Sequence, residues 1–109
     1  MNYVNFEANG KQYRLRLNTR NTVALEKVLG CNPLAIFDVT GKTLPPITTL
    51  VAVLHASLQA YHHSIDTNEA YEIFDAYLED NSIEDFIYVV LEIYKVSGLI
   101  PKGANVEKN

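Results

Sequence analysis

Apolar residues alternate with polar ones at the start of the chain, and from about residue 19 they recur at every third or fourth position. Residues 3–8 and 11–17 follow the first pattern. Val4, Phe6, Tyr13, Leu15 and Leu17 share one face, and Asn5, Glu7, Arg14 and Arg16 share the other. Asn9-Gly10 lies between the two runs and is the favoured two-residue hairpin loop, because both positions need positive φ. That loop predicts the register: Ala8 opposite Lys11, Phe6 opposite Tyr13 and Val4 opposite Leu15. A lone two-stranded hairpin is marginal in water, so its apolar face must rest on the helices or pair with another chain.

The second pattern predicts four main helices and one short helical turn. Asn18 or Thr19 caps a helix over about 19–29, and Gly30 stops it. Its apolar residues are Val23, Leu25, Val28 and Leu29. Asn32-Pro33 opens a short turn over 33–38 that carries Leu34, Ile36 and Phe37. A loop from Gly41 to Pro46 leads into the central helix, 47–63, with Ile47, Leu50, Val51, Leu54, Ser57, Leu58 and Tyr61 on one face. Asp66 or Thr67 caps a helix over 67–79 whose core face is Ala70, Tyr71, Phe74, Tyr77 and Leu78. Ser82-x-x-Asp85 resembles a capping box for the last helix, 83–97, which Gly98 ends. Residues 99–109 read as a loose tail. The expected architecture is a single α+β domain over residues 1–98.

The last helix carries more apolar surface than one-sided packing requires. Ile83, Phe86, Ile87, Val90 and Tyr94 form a core stripe, which Val89, Ile93, Val96 and Leu91 widen to an arc of about 220°. Either neighbouring elements cover this arc or it binds a partner. Tyr88 stands on the remaining polar strip, where a tyrosine suits an interface. Tyr88, Val89, Ile93, Val96, Leu99 and Ile100, with Arg14 and Arg16 of the hairpin, are therefore the predicted partner-binding residues.

Charge sharpens this picture. Of 109 residues, 48% are apolar and 20% charged, as in ordinary globular chains. The net charge of −4 is unevenly spread. Residues 1–42 hold six basic and three acidic side chains, residues 43–93 hold nine acids and no Lys or Arg, and residues 94–109 hold three Lys and one Glu. Such a chain has one basic and one acidic solvated face, or associates head to tail, or attracts a basic partner. The acidic helical part would repel phosphates, so nucleic acid is not an expected partner. No apolar run approaches the roughly 20 residues of a membrane span, and the first residues do not resemble a signal peptide. The single Cys31 cannot form an internal disulfide, which fits a reducing cytoplasm.

Candidate chemistry is sparse. His55 and His62, seven residues apart on one helix, would be separated by about 10.5 Å of rise, too far to share an ion, and His63 points away from His62. Glu69, Glu72, Asp75, Glu79 and Asp80 recur at helical spacing as a solvated face, without a cation-binding loop. Cys31 near a helix start has no His or Asp close in sequence. No nucleophile elbow, P-loop or dinucleotide fingerprint occurs. Neither catalytic residues nor a cofactor or metal is expected.

Four segments together carry a family resemblance: Tyr13–Leu17 (YRLRL), Asn21–Phe37 (NTVALEKVLGCNPLAIF), Leu54–Tyr61 (LHASLQAY) and Val89–Gly98 (VVLEIYKVSG). In this order they resemble the tail assembly chaperones of long-tailed phages and related prophages of low-GC Gram-positive bacteria. The resemblance covers roughly residues 11–98. It implies a non-enzymatic protein of the bacterial host cytoplasm that binds the tape measure protein, keeps it soluble, helps recruit tail tube protein subunits and is absent from the mature virion. It also implies a homo-oligomer, and in many relatives a frameshifted longer product. The alternatives are a small acidic protein-interaction or regulatory domain of a prophage, and a small metal-dependent enzyme.

Overall fold

The computed structural model describes residues 2–37, 40 and 43–103. The predicted end of the short turn at Asp38, part of the following loop and residues 104–109 of the tail lie outside them. The described elements are β1 (Val4–Ala8), β2 (Lys11–Leu15), α1 (Thr19–Leu29), a one-turn 3₁₀ helix (Pro33–Ile36), α2 (Ile47–Leu58), α3 (Thr67–Leu78) and α4 (Ile83–Val96). The fold is α+β: an antiparallel hairpin followed by four helices and one 3₁₀ turn.

Asn9 and Gly10 both have positive φ, 53° and 75°, and the strands pair in the register the turn demands, Val4 with Leu15, Phe6 with Tyr13 and Ala8 with Lys11. Phe6, Ala8, Leu15 and Leu17 are buried, and Val4 and Tyr13 pack against the same core. β1 lies on α3 and α4, and β2 lies on α2. Rings weld these elements together. Phe6 stacks on Tyr77 at 4.8 Å between centroids, and Phe86 meets Phe74 edge-on at 5.0 Å.

The caps fall where side-chain chemistry puts them. Asn18 Oδ1 accepts from Asn21 N, Asn32 Oδ1 from Leu34 N and Asp66 Oδ1 from Glu69 N, each at 2.8 Å. Ser82 and Asp85 form a reciprocal capping box at 3.1 and 2.8 Å. Gly98, at φ 81°, closes α4: its N–H donates to Lys95 O and the Leu99 N–H donates to Tyr94 O, the paired bonds of a Schellman motif.

The central helix departs from expectation. α2 stops at Leu58, not at 63. Gln59 Nε2 donates to the carbonyls of His55 and Ile65, which ties the chain into a turn without Gly or Pro. Seven of the twelve α2 residues are buried, including Val53 and a satisfied Ser57, whose Oγ donates to Leu54 O. Ile47 and Tyr61, placed on the core face by periodicity, are exposed. In α3 the buried face is Ala70, Ile73, Phe74 and Tyr77, so Ile73 takes the place expected for Tyr71, and Leu78 is half-buried. The hairpin packs on the Ile73 side and rotates the helix accordingly. Leu99 and Ile100 pack against the core, so the tail does not begin at residue 99.

Tyr94 joins the two ends of the helical layer. It is fully buried, and its hydroxyl donates to the Pro33 carbonyl at 2.8 Å. Burial raises its pKa, so the hydroxyl keeps its proton throughout the physiological range. Tyr94→Phe leaves the Pro33 carbonyl without this donor, and the expected loss is about 1–2 kcal/mol of unfolding free energy. Urea titration of the two proteins checks this, with an unchanged midpoint as the contrary result.

Candidate interaction surface

The predicted partner-binding residues do not form one patch. Ile93 is 0% exposed and lies in the core, so it presents nothing to a partner. Val89 is half-buried and packs on the core, beside a groove between β1 and the end of α3. Tyr88 and Val96 are half-buried, and Leu99 and Ile100 rest on the core as above. The broad apolar arc of α4 is largely consumed within the chain, because β1 and α2 cover it from two directions. Helical periodicity reports the width of an apolar arc but not how many neighbours share it.

The two arginines have internal tasks as well. Arg16 Nη1 donates to Asn2 O at 2.8 Å and to Val96 O at 3.0 Å, and Lys102 Nζ reaches the same Val96 carbonyl at 3.2 Å. Two cations thus sit at the negative end of α4, the favourable arrangement for a helix C-terminus. Arg14 is exposed, with its guanidinium 5.0 Å from the Tyr3 ring centroid and 5.9 Å from that of Tyr61.

The chain itself meets the outer edge of β2 and the residues that follow it. Arg14 N donates to His62 Nε2 at 3.0 Å, Arg16 N to Ser57 O at 2.9 Å, and Leu17 N to Ser97 Oγ at 2.9 Å. The chain itself therefore occupies this edge at Arg14 and ties down the residues just past the strand. His62 is not a helical residue beside His55, as the spacing argument assumed. It sits in the turn after α2 and serves as a hydrogen-bond acceptor, its ring edge-on to Tyr13 at 5.4 Å. His55 is half-buried on α2 and His63 is exposed. Among the described residues no group of three or more His, Cys, Asp or Glu is placed to hold a metal ion. Cys31 is exposed, as are Glu69, Glu72, Asp75, Glu79 and Asp80.

The surface that periodicity missed lies over α2. α1 and α3 both pack on α2 and leave between them a cleft of about 340 Å³. Its floor is Thr48, Val51, Ala52, His55 and Ala56, with Ala24 and Val28 on one wall and Tyr71 on the other. Val28 is 73% exposed, and Val23 and Tyr71 are each 43% exposed. In α1 Leu25 alone is buried. At 100° per residue Leu25, Val28 and Leu29 fall within one ordinary stripe of α1 and only Val23 lies opposite, so periodicity marked Val23 as outward but gave no sign that Val28 would be. Searches of protein-family models, curated proteins and solved structures found no match to this chain.

His62 makes stability depend on pH. Its bond to Arg14 N requires an unprotonated Nε2, and burial, then the Arg14 guanidinium and His63, lower its pKa from the ordinary 6.5. The unfolded chain thus takes up this proton first. The stabilisation is complete above pH 6.5 and is lost as pH falls through the lowered folded-state value. The expected outcome is a lower urea midpoint at about pH 5.5 than at about pH 7.5, and a smaller drop in His62→Gln, whose amide oxygen still accepts without titrating. Equal drops in both proteins would remove His62 as the cause.

Proposed function

We propose that this chain is a non-enzymatic tail assembly chaperone of a long-tailed phage or prophage. In this reading it works in the host cytoplasm as a homo-oligomer, binds the tape measure protein, helps recruit tail tube subunits and leaves before the virion is complete.

One observation carries the reading beyond the residues themselves. The four segments that bear the resemblance bond directly to one another. Arg16 of the first donates its N–H to Ser57 O of the third and its guanidinium to Val96 O of the fourth. Tyr94 of the fourth donates to Pro33 O of the second. The segments that carry the resemblance thus contribute to the hydrogen-bonded frame of this domain. A chaperone role also suits a molecule that keeps apolar side chains such as Val28, Leu44 and Ile47 at its surface.

Co-expression with the tape measure protein of the phage or prophage that encodes this chain tests the proposal. The expected result is that the tape measure protein stays in the soluble fraction and elutes with this chain. A client that precipitates to the same extent with and without it, and never co-elutes, would sink the reading.

A further inference from the structure

We infer that Arg14, Arg16 and Lys102, with the rings of Tyr3 and Tyr61, form a docking site for an acidic peptide segment of a partner protein, whose carboxylates these three cations take. The site goes beyond the role proposed above and stands on this patch alone.

Arg14 is its centre. It lies on the polar face of β2 and is exposed. Its guanidinium is 5.0 Å from the Tyr3 ring centroid and 5.9 Å from that of Tyr61, and the two rings meet edge-on at 5.6 Å. The cation sits in the angle between two rings, which orders the side chain before any ligand arrives. Its backbone N–H goes to His62, but among the described residues its guanidinium makes no hydrogen bond and no ion pair. A planar fork of N–H donors is thus held in place and unused, the form in which arginine takes a carboxylate with two parallel bonds.

Two further cations extend the site into a strip. Arg16 lies two residues on, on the same side of the chain. Its Nη1 donates to Asn2 O, beside Tyr3, and to Val96 O, and Lys102 Nζ donates to the same Val96 carbonyl. Two like charges on one carbonyl are close neighbours and repel. The end of α4 offers them a partial negative charge and not a full one. Every group that the three side chains touch is neutral: two rings and two carbonyls. The chain holds 13 Asp and Glu, and among the described residues none pairs with this strip.

The uncompensated charge selects the occupant. One carboxylate on the Arg14 fork and another between Arg16 and Lys102 supply the counter-charge that the fold leaves out. The ring carbons of Tyr3 and Tyr61 give a peptide apolar contact beside its charges, and Tyr and Arg are the side chains in which binding energy concentrates at interfaces. A nucleic acid fits less well, because its run of phosphates would meet the field of residues 43–93, which hold nine acids and no Lys or Arg. A short acidic segment touches the strip and goes no further.

Nuclear magnetic resonance on the full chain tests the site, with a short acetylated peptide of alternating Glu and Ala and its Gln counterpart. The Glu peptide is expected to shift the amides of Tyr3, Arg14, Arg16, Tyr61 and Lys102 saturably, with a Kd of roughly 1 mM or tighter at low ionic strength that weakens in salt. The Gln peptide should leave them unmoved. Arg14→Gln should weaken binding about tenfold with the urea midpoint little changed, because its guanidinium bonds to nothing in the fold. Arg14→Lys should recover only part of the loss, since it restores the charge without the fork. Lys11→Gln, which removes an exposed cation of the same strand, should change binding by less than about twofold. Shifts that fall elsewhere, equal binding of the Gln peptide, or an Arg14→Gln variant that binds like wild type would overturn the proposal. So would an oligonucleotide that binds the strip more tightly than the Glu peptide, which assigns it to nucleic acid. Amides of the strip that move with protein concentration alone would assign it to a second copy and overturn it too.

Discussion

A two-stranded hairpin has one apolar face and open backbone edges, and the rest of this fold depends on how these are closed. The face is closed by aromatic packing, with Phe6 stacked on Tyr77 and set edge-on to Phe86. The His62 ring meets the outer edge of β2 at Arg14, and just past the strand the Ser57 carbonyl and the Ser97 hydroxyl take the Arg16 and Leu17 N–H groups. These groups lie at the ends of α2 and α4, so the hairpin fixes where both helices stop. Past Leu58 the chain hands His62 to the hairpin, where its ring accepts from the Arg14 N–H.

The same constraint explains why the apolar surplus and the available surface are on different helices. α4 has the widest apolar arc, and the hairpin and α2 use nearly all of it. α1 has a modest set of apolar residues, and the core uses one of them fully. It stands at the margin of the domain, anchored on α2 and the 3₁₀ turn. The apolar surface left open is therefore set by distance from the hairpin, not by the hydrophobicity of the helix that carries it.

Arg16, Tyr94 and His62 show how polar side chains make this arrangement specific. Each spans more than 40 residues of chain to reach a backbone group: Arg16 to Val96 O, Tyr94 to Pro33 O, and His62 to Arg14 N. Apolar packing alone tolerates small rotations of one helix on another. A hydrogen bond of fixed length to a backbone group does not, so these contacts hold α4, the 3₁₀ turn and the turn after α2 in one position.

What was legible in the chain is local. Asn9-Gly10 dictates its turn and, through it, the strand register. Asn18, Asn32, Asp66 and Ser82 dictate helix starts, and Gly30 and Gly98 dictate stops, because each signal acts within a few residues of itself. What was not legible is which partner each face would meet. Periodicity put Ile93 toward a partner and Tyr71 on a core face, but the first is enclosed between neighbours and the second stands at the mouth of a cleft. His62 continues a helical pattern that nothing nearby interrupts, and the bond that draws it out of the helix comes from β2, 48 residues earlier. Caps and turns are short-range chemistry. Burial, helix length under tertiary load and the open cleft are properties of packing, and they exist only once distant segments have met.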